Sequence, residues 1–354
     1  MAALGRRERV VLGVALLASV LAGVLDSVGA TAVLTFIVSA VALALLASIV
    51  SDATEQVGER LGPGATGVLQ SAIGNLPELF VAIFALRAGL VTVVQTALIG
   101  SILANSLLVL GLAFVVGGAR HGAQRFDSRQ PRMIATLTLL AVAALVMPTL
   151  TSTLHTPAAG HEGQLSIVCA LLLLVIFAAS IPMAIRGGPT AVSSAPHGDR
   201  PAWPIWLAIV MLAVAGVGAA FVSDWFVAAL DPAITALGIS QAFAGLVIVA
   251  IAGNAVENVV GIQLAAQNKA DYAVSVILNS SLQVALALTP VLVLLSFVVG
   301  SAPLTLVLPP LLVVALFLAA ILSAIIVFDG ESNWLEGLAL IGLYGIIATS
   351  FWWG

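Results

Sequence analysis

Apolar runs of about twenty residues, separated by short polar breaks, follow one another along almost the whole of this chain. An α-helix rises about 1.5 Å per residue, so each run matches a hydrocarbon layer roughly 30 Å thick. Within lipid every backbone N–H and C=O must be satisfied without water, which leaves helices and closed barrels as the only spanning structures. A barrel would show ten-residue stretches of alternating polarity, and this sequence does not. Composition agrees: 61% hydrophobic residues, 8% charged residues and a mean hydropathy of +1.20 exclude a water-soluble core. The net charge of -4 distinguishes no partner class. The single cysteine, Cys169, lies inside an apolar run and forms no intrachain disulfide.

The expected fold class is an all-α polytopic membrane protein with about 11 transmembrane helices. The spans fall near 9–26, 29–50, 66–87, 91–117, 132–150, 164–186, 203–222, 239–264, 271–298, 304–327 and 334–353. Gly5 to Val24 has the basic start of a signal peptide, but its apolar run continues without a small-residue cleavage site, so it reads as a first membrane helix. The Pro-, Gly- and Ser-rich stretch 187–202 reads as a linker. The division is thus an extra helix at 1–28, five spans in 29–186, a cytoplasmic linker at 187–202 and five spans in 203–354. With the N-terminus cytoplasmic, eleven of the twelve basic residues fall in inner segments, and only Arg87 falls outside. The outer loops at 151–163 and 223–238 contain none. Trp203, Trp206, Trp225, Trp334, Trp352 and Trp353 lie near the expected span ends, where aromatic belts form.

Two spans carry the same interruption. Gly74-Asn75-Leu76-Pro77-Glu78 and Gly253-Asn254-Ala255-Val256-Glu257 both read G-N-x-x-E, displaced by 179 residues, and the same displacement aligns Ser101 with Ser280. An offset shared by two successive helices indicates duplication. Because each half has an odd number of spans, the halves are expected to be inverted with respect to each other. In that plan, substrate sites lie near mid-membrane at discontinuous helices.

Glu78 and Glu257 stand well inside apolar runs, where an ionised carboxylate costs roughly 2.5–3.5 kcal/mol or more. No Lys or Arg shares that interior, so cations or protons must neutralise the pair. Asn75, Asn254, Ser101, Asn105, Ser280 and Gln283 offer neutral oxygens, and no thiol or imidazole stands with them. An all-oxygen set with two carboxylates suits Ca2+, whereas softer metals favour sulfur or imidazole. Two neighbouring carboxylates cannot both stay ionised in a low dielectric once Ca2+ leaves, so protons take its place. If the empty, charged site cannot reorient, the two ion fluxes become coupled.

These residues resemble the cation/proton exchangers of the calcium/cation antiporter superfamily. Three stretches carry the likeness: GNLPELFVAIFALRAGLVTVVQTALIGSILANSLLVLGLAFVVGG from Gly74, GNAVENVVGIQLAAQNKADYAVSVILNSSLQVALALTPVLVLLS from Gly253, and FDGESNWLEGLALIGLYG near the C-terminus. The resemblance covers essentially the whole chain. It implies one extra helix plus two inverted five-helix repeats, with Glu78 and Glu257 as metal ligands and proton acceptors. Asn75, Asn254, Ser101, Asn105, Ser280 and Gln283 follow as supporting ligands. Ca2+ and H+ are then transported substrates and the bilayer is the surrounding partner. Neither a catalytic residue, a bound cofactor nor nucleic acid is expected. A bacterial-type cytoplasmic membrane is the expected location. The family also implies that spans 29–50 and 203–222 slide to alternate access.

Two features depart from the proton-coupled pattern. Asn258 follows the second glutamate where many members have histidine, and the Leu-Pro-Glu of the first motif is similar to the sodium/calcium exchanger branch. A sodium/calcium exchanger is therefore the alternative, followed by a passive cation channel. An intramembrane enzyme lacks both a histidine pair and an evident nucleophile. His121, His155, His161 and His197 are expected in loops.

Overall fold

In a computed structural model, residues 5–61, 69, 73–185 and 203–353 are described. They form α1 (Arg6–Ser27), α2 (Ala32–Leu61), α3 (Leu76–Arg87), α4 (Val91–His121), α5 (Arg129–Thr153) and α6 (Glu162–Ile185). The second half contains α7 (Ile205–Leu237), α8 (Gln241–Gly253), α9 (Ala255–Ala266), α10 (Ala270–Val299), α11 (Pro310–Ile326) and α12 (Trp334–Ser350). Seven of these helices are long and apolar enough to span a membrane, and α8 with α9 forms an eighth span bent by 65°. Each of the eleven expected spans meets a helix, and the protein is a multi-pass, all-α membrane protein. The expected linker, with Arg186, His197 and Arg200, lies outside the described residues, as does most of 66–75.

Three boundaries differ from expectation. α2 runs to Leu61 and α7 to Leu237, so the segment 223–238 is almost wholly helical rather than an outer loop. Polarity alone does not end a helix; a backbone break does, and α7 stops at Gly238 in the left-handed region with φ of 64°. At 30 and 33 residues, these helices would measure about 45–50 Å, so they must tilt or project beyond the hydrocarbon. They pack against each other along their length. Trp225 is therefore mid-helix, against Gly23 of α1, and Trp203 is buried rather than part of an exposed belt.

The third difference is at 304–309, expected to be helical and found extended. Pro303, Pro309 and Pro310 oppose a helix there, and Leu304, Leu306 and Leu308 alternate into the core. Non-helical backbone inside a membrane protein needs protein partners. Gln95 Nε2 donates to the Thr305 and Val307 carbonyls at 2.7 and 3.1 Å. The N–H groups of Leu304, Leu306 and Leu308 donate to the hydroxyls of Ser296, Ser166 and Thr149 at 2.8, 2.9 and 2.9 Å. The strands β1 (Gln124–Arg125) and β2 (Glu331–Ser332) pair antiparallel, with Gln124 and Ser332 buried and an exposed Arg125–Glu331 ion pair of 2.8 Å.

Candidate ion-binding site

Both G-N-x-x-E motifs fold in the same way. The asparagine is the N-cap and the glutamate lies in the first turn: Asn75 precedes α3 with Glu78, and Asn254 precedes α9 with Glu257. The breaks are ordinary in backbone terms, with φ, ψ of -89°, 13° at Asn75 and -105°, 20° at Asn254. Each carboxylate thus stands at a helix N-terminus, where free N–H groups and the helix dipole favour negative charge. That placement explains how acidic side chains are tolerated at this depth.

The other donors are brought in by α4 and α10. Ser101 Oγ donates to Glu78 Oε1 at 2.6 Å. Asn254 Nδ2 reaches the same oxygen at 3.4 Å and Ser101 Oγ at 2.9 Å. Ser280 Oγ donates to Asn254 Oδ1 at 3.3 Å, and Asn105 Nδ2 donates to Ser280 Oγ at 2.9 Å. Across the other face, Asn75 Nδ2 donates to Gln283 Oε1 at 3.3 Å. Glu78, Ser101, Asn105, Asn254 and Ser280 form one network, and Asn75 with Gln283 a second pair. Glu257 is half-buried, lies within coulombic reach of Glu78, and accepts from its own backbone N–H, with no other side chain bonded to it among the described residues.

Two acceptors in this network are buried and unpartnered: Glu78 Oε2 and Asn105 Oδ1. Buried acceptors without partners are rare and costly, and an oxygen-seeking cation or a proton would satisfy them. No group of three or more His, Cys, Asp or Glu suited to a metal occurs among the described residues. His155 and His161 lie in exposed loops as expected, whereas His121 is exposed at the C-terminal end of α4.

Several contributors were not visible from sequence. α4 becomes π-helical at Ala104–Val109 and α10 at Val284–Leu288, beside Asn105 and Gln283. Such π-bulges recur at functional sites, because they re-aim side chains within a continuous helix. Ser106 and Ser281 pair at 3.1 Å, one residue beyond Asn105 and Ser280. Gly100 of α4 and Gly245 of α8 allow the two backbones to touch; a Cβ at Gly100 would collide with the Leu246 carbonyl and one at Gly245 with Thr96. Leu43 of α2 and Phe226 of α7 join Pro77, Val81 and Gly253 around a narrow cavity at Glu78.

A helical membrane bundle with one buried carboxylate among neutral oxygens at a helix N-terminus and a second at the break between α8 and α9 has the design of a secondary cation transporter. The family model described as sodium/calcium exchanger protein matches residues 31–186 and 207–353, and the chain belongs to that family. The Ca(2+)/H(+) antiporter of Synechocystis sp. is 33% identical over 338 residues, covering 89% of this chain and 90% of that protein. The Ca(2+)/H(+) antiporter ChaA of Bacillus subtilis is 36% identical over 321 residues, covering 89% of this chain and 91% of that protein. The structure of native YfkE superposes with a TM-score of 0.82 at 31% identity, covering 97% and 99% of the two chains. The sodium-calcium exchanger NCX_Mj, at 20% identity and a TM-score of 0.57 over 89% and 96% of the chains, shares the fold.

Proposed function

We propose that this chain exchanges Ca2+ for H+ across its membrane by alternating access, with Glu78 and Glu257 binding the two cations in turn. Asn75, Asn254, Ser101, Asn105, Ser280 and Gln283 supply the neutral oxygens. The observation that carries the reading is the unpartnered Glu78 Oε2, buried inside a network in which Asn105 Oδ1 is unpartnered as well. With Ca2+ bound, both carboxylates stay ionised and the ion uses their oxygens; without it, protons neutralise the same atoms. Mutual exclusion on shared oxygens couples the fluxes. Relatives named Ca(2+)/H(+) antiporters, matched over about nine-tenths of their length, support H+ over Na+ as counter-ion.

In this reading 1–28 is an added helix, 29–186 and 203–354 are inverted five-helix repeats, 187–202 is a cytoplasmic linker, and the N-terminus is cytoplasmic. Purified protein in sodium-free proteoliposomes tests the exchange. An imposed proton gradient is expected to drive Ca2+ uptake against its own gradient. Uptake that needs Na+ and ignores the proton gradient would establish the sodium/calcium alternative instead.

A further inference from the structure

The helix that carries Glu78 has a second working face. Pro77, Glu78 and Val81 of α3 line the narrow cavity of the ion site. Leu76, Phe80 and Phe84, spaced at i, i+4 and i+8, form a separate stripe and meet α7 across an open groove of about 740 Å³. That size falls within the roughly 300–1,000 Å³ of ligand clefts. The α7 wall runs from Ile209 to Asp224, about 22 Å of helix, against roughly 15 Å of hydrocarbon in one leaflet. An extended acyl chain from a single leaflet fits that length. The groove shares no residue with the proposed ion ligands.

Helix packing does not account for the hollow. Ala213, Gly216 and Ala220 line it on α7, with the rings of Phe80, Phe84 and Phe221 around them. Gly216 is buried, yet a Cβ there would meet nothing within 4 Å. Gly100 and Gly245 differ, since their smallness lets two backbones touch. At Gly216 smallness keeps a space open instead.

The two ends of the groove are unlike. Of the described residues that line it, only Asp224 is polar. The adjacent Trp225 packs on Gly23, about one turn before α1 ends at Ser27, which sets Asp224 at the depth where α1 leaves the apolar layer. α3 ends on the same side as α7: α4 follows α3 and sets Val93 and Thr96 against Gly245, just after α7 stops at Leu237. Arg87, one turn beyond Phe84 on the same face of α3, is exposed, as is Asp224. Neither has an ion pair or a side-chain hydrogen bond among the described residues. One end of an apolar groove therefore carries a carboxylate from α7 and a guanidinium from α3, both at headgroup depth.

We propose that this groove holds one chain of a phospholipid with a phosphoethanolamine headgroup, its phosphate on Arg87 and its ammonium on Asp224. Charge complementarity selects that class. A headgroup offering only a phosphate would leave Asp224 facing an anion, and a quaternary ammonium has no N–H to donate to the carboxylate. The lipid belongs to the leaflet at which α3 ends, and its chain fills the space between α3 and α7.

Purified full-length protein in detergent is titrated with phosphatidylethanolamine, phosphatidylcholine or phosphatidylglycerol of identical acyl chains, and bound lipid is counted by native mass spectrometry. One phosphatidylethanolamine should be retained about tenfold more tightly than either of the others, the margin a charge-assisted hydrogen bond confers. Asp224→Asn keeps an acceptor without the charge and should cut that preference to about threefold or less. Arg87→Gln should weaken retention of all three lipids, since each carries a phosphate. Equal retention of the three by the unaltered protein, or an unchanged preference in Asp224→Asn, would overturn the proposal. Gly216→Phe directs a ring into the hollow and should abolish the retained lipid while the protein stays monodisperse. Lipid held as before by that variant would overturn the proposal, as would a dimer of the chain that Gly216→Phe dissociates, which would assign the groove to a second copy. Should Gly216→Phe fail to fold, the exposed substitution Asp224→Asn decides alone.

Discussion

A carboxylate inside a bilayer persists only where something stabilises its charge or a proton removes it. Glu78 has a helix N-terminus, the Ser101 hydroxyl and the Asn254 amide on one oxygen and nothing on the other. Glu78→Gln and Glu257→Gln should each abolish Ca2+ uptake in proteoliposomes while leaving the protein monodisperse in detergent; exchange retained in either variant would disprove the assignment. Ser101→Ala removes a hydrogen bond to a charged group, worth about 1.5–3 kcal/mol, and should weaken Ca2+ binding by roughly tenfold or more in equilibrium 45Ca2+ binding. Competition for shared oxygens also has a sign: acidification should lower apparent Ca2+ affinity, by up to about tenfold per pH unit for each proton displaced. Affinity independent of pH would uncouple the two ions. Six of the eight proposed ligands, Asn75, Glu78, Ser101, Asn254, Glu257 and Ser280, stand at the repeated spacing, which Asn105 and Gln283 do not share, and all eight were legible as polar residues within apolar runs. Their partners were not, because spacing fixes where a residue sits on its own helix and not which helix faces it.

At the scale of elements, close backbone contact and irregular segments matter more than helix length. α4 and α8 touch at Gly100 and Gly245, next to the proposed ligands carried by α4. Gly100→Leu or Gly245→Leu should force the helices apart and lower thermal stability in detergent by several kcal/mol, on the order of other overpacking substitutions or above. The extended segment at 304–309 makes a different prediction. Gln95→Ala leaves the Thr305 and Val307 carbonyls without that donor, which should cost about 1–3 kcal/mol of stability with Ca2+ affinity unaltered. The sequence contained the signals for this segment, three prolines and alternating leucines, but its overall hydropathy hid them within an apparent span. The π-bulges left no compositional trace, since they arise from a one-residue mismatch absorbed by the surrounding packing.

For the whole molecule, orientation is directly measurable. Single cysteines replacing Pro157 and Gln267, both exposed, should react with an impermeant reagent from opposite faces, Pro157→Cys from outside and Gln267→Cys from the cytoplasm. The reverse pattern would invert the proposed topology. The long antiparallel pair of α2 and α7 is tied at one end by Gln56 and Arg60 to the backbone of Trp203 and stacked at the other by Phe36 on Phe226. Both ends of the pair are thus fastened by contacts between the two halves of the chain.

Sequence alone determined the solvent, the all-helical multi-pass class and the duplicated G-N-x-x-E motif, because hydrophobic length and repeat offset are local or periodic properties of a chain. Only the tertiary structure decided which oxygens meet, where helices continue past the expected membrane edge, and that Glu78 is sealed by α2 and α7 while Glu257 is more open. Those outcomes depend on contacts between residues distant in sequence, where small residues let backbones approach and large rings close the space, and no one-dimensional pattern encodes that pairing.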